Sequence, residues 1–117
     1  MKKEFRLEKL LEIRIMDERH AAAKLSDIDS RLNKAQEQLD LLRKKQSQLY
    51  SDFVSSIQSP DNLAPLQDHL TAIKEETLEL EKMIENIKNE KESAFTTYED
   101  ALKKRKILEN LKEKTLI

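Results

Sequence analysis

From Leu25 to Phe53 apolar residues recur at alternating steps of three and four: Leu25, Ile28, Leu32, Ala35, Leu39, Leu42, Leu49 and Phe53, with Gln46 as the one polar stop. The residues between them are mostly charged or amide. This spacing holds a narrow stripe on one side of a helix and marks a coiled-coil seam. The same count runs back through Ala21, Glu18, Arg14, Leu11 and Leu7 without a break in phase. A second ladder follows at Leu66, Leu70, Ile73, Thr77, Leu80, Ile84, Ile87, Lys91, Ala94, Tyr98, Ala101, Arg105 and Leu108. One helix cannot bury such a seam alone, and the near-equal length of the ladders predicts that they pair with each other. Both prolines, Pro60 and Pro65, fall between the ladders, in the stretch SSIQSPDNLAP. Ser59 and Pro60 suit an N-cap and a first helical residue, while Asn62 to Pro65 can equally hold the start of the second helix. The expected fold is therefore all-α: one long antiparallel two-helix coiled-coil hairpin, with helices over about 3–57 and 66–115 and a loop over about 58–65.

A hairpin folded near residue 61 brings together residues whose numbers total roughly 122 or 123. In that register the polar exceptions meet. Gln46 faces Thr77, Glu18 faces Arg105, and Ala21 faces Ala101. Amide then meets hydroxyl, and acid meets base. Such layers cost stability and fix the pairing register. The alanine layer is expected to let the two backbones approach closely.

Composition narrows the classes. Of 117 residues, 38% are charged and only 4% aromatic, with no Gly and no Trp, which suits long helices rather than a thick globular core. The formal net charge of −1 gives a nucleic-acid partner no overall support, and the basic segments lack interleaved aromatics. No Cys is present, so disulfides, thiolate metal sites and a Cys nucleophile are ruled out. The opening MKKEFRLEKLLEIR has no uninterrupted apolar core, so it is not a secretory signal, and no stretch suits a membrane span. A cytoplasmic protein is expected. His20 and His69 stand alone, and no nucleotide-binding or metalloprotease motif occurs. The acids Glu75, Glu76, Glu79, Glu81 and Glu85 read as a solvated helix face. A two-helix hairpin has no cleft that excludes water. Neither an enzyme nor a metal or cofactor site is expected.

Two features rise above this background. Lys103, Lys104, Arg105 and Lys106 form a basic run, and the hairpin brings it near Lys2, Lys3, Arg6, Lys9 and Arg14. As a surface feature it needs no function; as a site it suits an acidic or carbonyl-lined opening. Around Leu49, Tyr50, Phe53 and Val54, with Leu41, the apolar residues exceed what one seam needs. Broader packing near the turn and an exposed partner patch both account for them.

With these residues in view, a resemblance can be stated. FRLEKLLEIR (Phe5 to Arg14) resembles the opening of the FliJ family of bacterial flagellar export components. KAQEQLDLLRKKQSQLY (Lys34 to Tyr50) is similar to that family's first helix, and KKRKILENLKEK (Lys103 to Lys114) resembles its second. The YscO-type stalks of injectisomes are near relatives. The resemblance implies an antiparallel helical pair in the centre of a hexameric export ATPase ring (FliI-like), reaching toward an export gate protein (FlhA-like) and contacting export chaperones. It places the protein at the cytoplasmic face of the inner membrane, held there only through partners. By analogy Arg6, Lys9, Arg14, Lys103, Lys104, Arg105 and Lys106 would meet the ring. Gln38, Leu42, Leu49, Tyr50 and Phe53, with His69, Leu70 and Ile73 on the second helix, would meet the gate. Lys45 stands where the family can show an aromatic. No long tail is expected after the second helix, nor any role of one.

Two other readings compete with that one. A prefoldin-like chaperone subunit would need strands to build a platform, and none is evident here. A purely structural coiled coil would self-associate through its e and g positions.

Overall fold

The computed structural model describes residues 2–55 and 63–116, all of them helical. Helix α1 spans Lys2–Ser55 and α2 spans Leu63–Leu116, each of 54 residues. The fold is all-α, an antiparallel coiled-coil hairpin of two long helices. α2 begins ahead of the expected residue 66. Pro65 thus lies in its first turn, where a missing N–H costs nothing because first-turn amides have no intrahelical acceptor. Residues 56–62, which include the expected end of the first helix, most of the loop and the Ser59–Pro60 cap, lie outside the described residues.

The chain, expected as one coiled-coil domain, divides into two compact units. One comprises Met1–Ser30 with Asn89–Ile117, the other Arg31–Lys88. Each unit takes a stretch of both helices. Each layer of a two-helix seam touches only the layers beside it, so no central core gathers the whole chain.

In the unit of residues 31–88, Leu32, Ala35 and Leu39 from α1 are buried with Ile73, Thr77, Leu80, Ile84 and Ile87 from α2. All eight are stops of the two ladders. Thr77 is the one buried polar side chain among the described residues, and its hydroxyl donates to the Ile73 carbonyl at 2.7 Å. The expected amide–hydroxyl layer therefore takes another form. The single hydroxyl proton stays within α2, one turn back, and Gln46 remains half-buried beside it in sequence register. Across this unit Arg43 and Glu81 pair at 3.7 Å.

In the unit of both terminal stretches, Ile28, Ala94 and Leu108 are buried, and Ile28 is only 1% exposed. Leu7, Leu11, Ala21 and Leu25 are half-buried. Sealing is looser here because polar and alanine stops interrupt the seam. Arg105 reaches across to Glu18 through its Nε and its second amino group, as the fold line near residue 61 requires. Lys91 occupies a seam stop and carries its ammonium to Asp29 at 2.7 Å. Lys112 lies 3.7 Å from Glu8. These pairs all join early residues of α1 to late residues of α2, which fixes the antiparallel sense. Ala21 and Ala101 come to one place: both line an open hollow of about 450 Å³ with Arg14, Asp17, His20, Lys24, Thr97, Asp100 and Lys104 around them.

Truncating the most buried side chain should be costly. Ile28→Ala is expected to lower the unfolding free energy by about 2–5 kcal/mol in urea denaturation. Leu41→Ala, at an exposed position, should stay within about 0.5 kcal/mol. Equal losses at the two positions would contradict the seam.

Candidate functional site

Two surfaces carry more than seam packing. The first lies in the unit of residues 31–88. Gln38, Leu41 and Lys45 follow one another at i, i+3 and i+7 along α1, so they share one flank of the helix. Glu76, Glu79 and Met83 repeat that spacing on α2. With the seam residues Leu42 and Leu80 these two lines enclose an open hollow of about 380 Å³. Leu41 is 58% exposed and Met83 54%. The apolar side chains Leu41, Leu42, Leu80 and Met83 share the hollow with one ammonium, Lys45, and two carboxylates, Glu76 and Glu79. Such a site holds no groups set for bond-making chemistry. It can take an apolar knob and orient it by charge.

Of the residues expected at a gate contact, Gln38 and Leu42 meet in this hollow. The others do not line it. Tyr50 and His69 are exposed, while Leu49, Phe53 and Leu70 are half-buried. Ile73 is buried in the seam, so it shapes the pairing and offers a partner little surface. Met83, Glu76 and Glu79 were not among the expected residues. Their signal was available only by pairing both helices in register, since each looks like an ordinary flank residue in its own helix.

The second group is cationic and lies in the unit of the terminal stretches, where Lys104 shares a hollow with Arg14 and Arg6 lines another with Lys3. Arg6, Lys9, Lys103, Lys104 and Lys106 are exposed. The Lys9 ammonium stands 5.3 Å from the centre of the Phe5 ring, within cation–π range. Arg14 is half-buried and 3.7 Å from Asp17. Arg105 differs from its neighbours in the basic run. It turns toward the seam, where Glu18 and Glu109 accept its N–H groups, the latter at 2.7 Å. Those hydrogen bonds, from Glu18 first and then Glu109, hold the guanidinium above its ordinary pKa. Arg105 thus serves register before it serves any partner.

Among the described residues no group of three or more His, Asp and Glu side chains could hold a metal ion, and no helix is long and apolar enough to cross a membrane.

A raised arginine pKa means that the folded state holds the proton more tightly. The contribution is present at neutral pH and on the alkaline side is lost only as strongly alkaline solution deprotonates the group. Arg105→Gln should therefore lower Tm by a similar amount at neutral and mildly alkaline pH. Glu18→Arg should lower Tm as well, and combining Glu18→Arg with Arg105→Glu should recover part of the loss. Strict additivity of the two single changes would show that the pair does not couple the helices.

Comparison with known proteins adds one match. The family described as flagellar FliJ protein matches residues 1–116. No curated protein and no solved structure matches the sequence.

Proposed function

The chain belongs to the FliJ family of flagellar proteins, and from that premise we propose that it is a non-enzymatic stalk of a bacterial flagellar protein export apparatus. The observation that carries this reading is the family match over essentially the whole chain, joined to a fold made of one helical pair. In this reading the basic surface, Arg6, Lys9, Arg14, Lys103, Lys104 and Lys106, docks in the ring of the export ATPase. Arg105 supports that surface by holding α2 against α1. The hollow of Gln38, Leu41, Leu42 and Met83, with Tyr50, Leu49, Phe53, His69 and Leu70 elsewhere in the same unit, receives the export gate and export chaperones. Ile73 supports it from the seam. The protein acts at the cytoplasmic face of the inner membrane. The flagellar description of the family favours this over an injectisome stalk.

The mechanism needs no catalytic side chain. A helical pair presents different residues in different directions, so identical ring subunits meet unlike surfaces. Unequal contact biases which subunit binds or hydrolyses ATP. A second site on the same chain then becomes energetically coupled to the first, and the coupling is reciprocal for binding.

Two experiments test this. Lys103→Glu, Lys104→Glu and Lys106→Glu together should remove stimulation of the cognate export ATPase while leaving helicity by circular dichroism unchanged, because all three side chains are exposed. Full stimulation by that variant would end the ring assignment. For the gate, Leu41→Asp with Met83→Asp should weaken binding to the cytoplasmic part of the cognate gate protein at least about tenfold, the scale of an interface hot spot. Unchanged affinity in calorimetry would place the gate contact elsewhere.

A further inference from the structure

α1 carries a further face, turned away from the seam, on which Arg6 and Lys9 of the cationic group stand among exposed apolar side chains. Successive residues of a helix turn by about 100°. Leu7 and Leu11 point to the seam, so Phe5, Lys9, Ile13 and Met16 fall on the opposite side. Phe5 is 61% exposed, Ile13 52% and Met16 55%. Arg6, Leu10 and Lys3 extend this face round one flank, and Lys3, Arg6, Leu7 and Leu10 enclose a hollow of about 410 Å³. The carboxylates of the stretch, Glu4, Glu8 and Glu12, stand four residues apart along the other flank. Glu8 turns to Lys112 of α2, 3.7 Å away. The outward arc from Phe5 through Ile13 to Lys3 therefore holds cations and large apolar side chains, and its first carboxylate, Asp17, lies beyond Met16 and pairs with Arg14.

We propose that this outward face of α1, Phe5, Lys9, Ile13 and Met16 with Arg6 and Lys3, docks on the surface of an anionic lipid bilayer. A purely acidic protein surface would match the cations and leave three large apolar side chains in water. The headgroup boundary of an anionic bilayer supplies both needs at once: a plane of negative charge, and an apolar layer just beneath it. Lysine and arginine suit that boundary, since their aliphatic stems lie along apolar surface while the charge stays among headgroups. The helix is too polar to cross a membrane, so it would lie in the interface. Phe5 and Lys9 already stack as a unit, which presents a ring and an ammonium side by side. Such a contact would hold the protein at a membrane directly whenever Arg6 and Lys9 are not engaged by the ring.

The test uses the whole chain and no other protein, so its failure would leave the export reading untouched. Purified protein is sedimented with vesicles of phosphatidylglycerol and phosphatidylethanolamine, and separately with vesicles of phosphatidylcholine alone. Binding to the anionic vesicles is expected, falling with added salt, and little binding to the neutral ones. Arg6→Gln with Lys9→Gln should reduce partitioning by about 25-fold, from about fivefold per cation near such a surface. Phe5→Ser, Ile13→Ser and Met16→Ser together should reduce it by at least as much, with helicity unchanged because the three side chains are exposed. Absence of binding to anionic vesicles overturns the proposal. So does loss on charge removal with none on removal of the apolar side chains, since attraction to any anionic surface would then suffice.

Discussion

The structure depends on burying a stripe only two residues wide per heptad. Two helices in contact can remove just that much surface from water, and each buried stop contributes through apolar area withdrawn. Ile28, Ala35, Ile84 and Ile87 are where the removal is most complete. Everything else about the chain follows from how narrow the stripe is. A stripe of that kind leaves most side chains in solvent, so the remaining positions must be charged or amide for the protein to stay soluble. It also leaves any extra apolar residue visible.

Apolar stops alone would let one helix slip past the other by a heptad at little cost. The polar stops prevent that. Arg105 bonds Glu18 across the seam as well as Glu109 in its own helix, and Lys91 pairs with Asp29. A slipped pairing would take Arg105 from Glu18 and leave that partly covered carboxylate without its partner across the seam. Thr77 makes a different bargain. By donating to Ile73 it hides its polarity within its own helix and adds nothing to register. The interruptions that specify pairing also loosen the seam in the unit of the terminal stretches, where most leucine stops are only half-buried.

Function, on this architecture, has to come from flanks. Where a flank residue is apolar it is exposed almost by geometric necessity, and it becomes a contact waiting for a partner. Leu41 and Met83 create the hollow beside Leu42 and Leu80, and Phe5, Ile13 and Met16 line the back of α1. A helical pair with such flanks gains independence, because each flank can be altered without disturbing the seam.

The sequence by itself determined the two ladders, their antiparallel pairing and the meeting of Glu18 with Arg105. Periodicity and charge order are properties of the chain read in one dimension, and a two-helix pair adds only one fold line. It also singled out the basic run and Leu41 as features in excess of packing. Tertiary structure alone decided what the layers do. It placed Ala21 and Ala101 together at one open hollow. It gave Arg105 a second acceptor, Glu109, in its own helix. It joined Gln38, Leu41 and Lys45 to Glu76, Glu79 and Met83, residues whose relation exists only when two flanks are held side by side. Start points of helices also fell to the structure, since Pro65 is compatible with a loop and with a first turn alike, and only the position of its neighbours chooses between them.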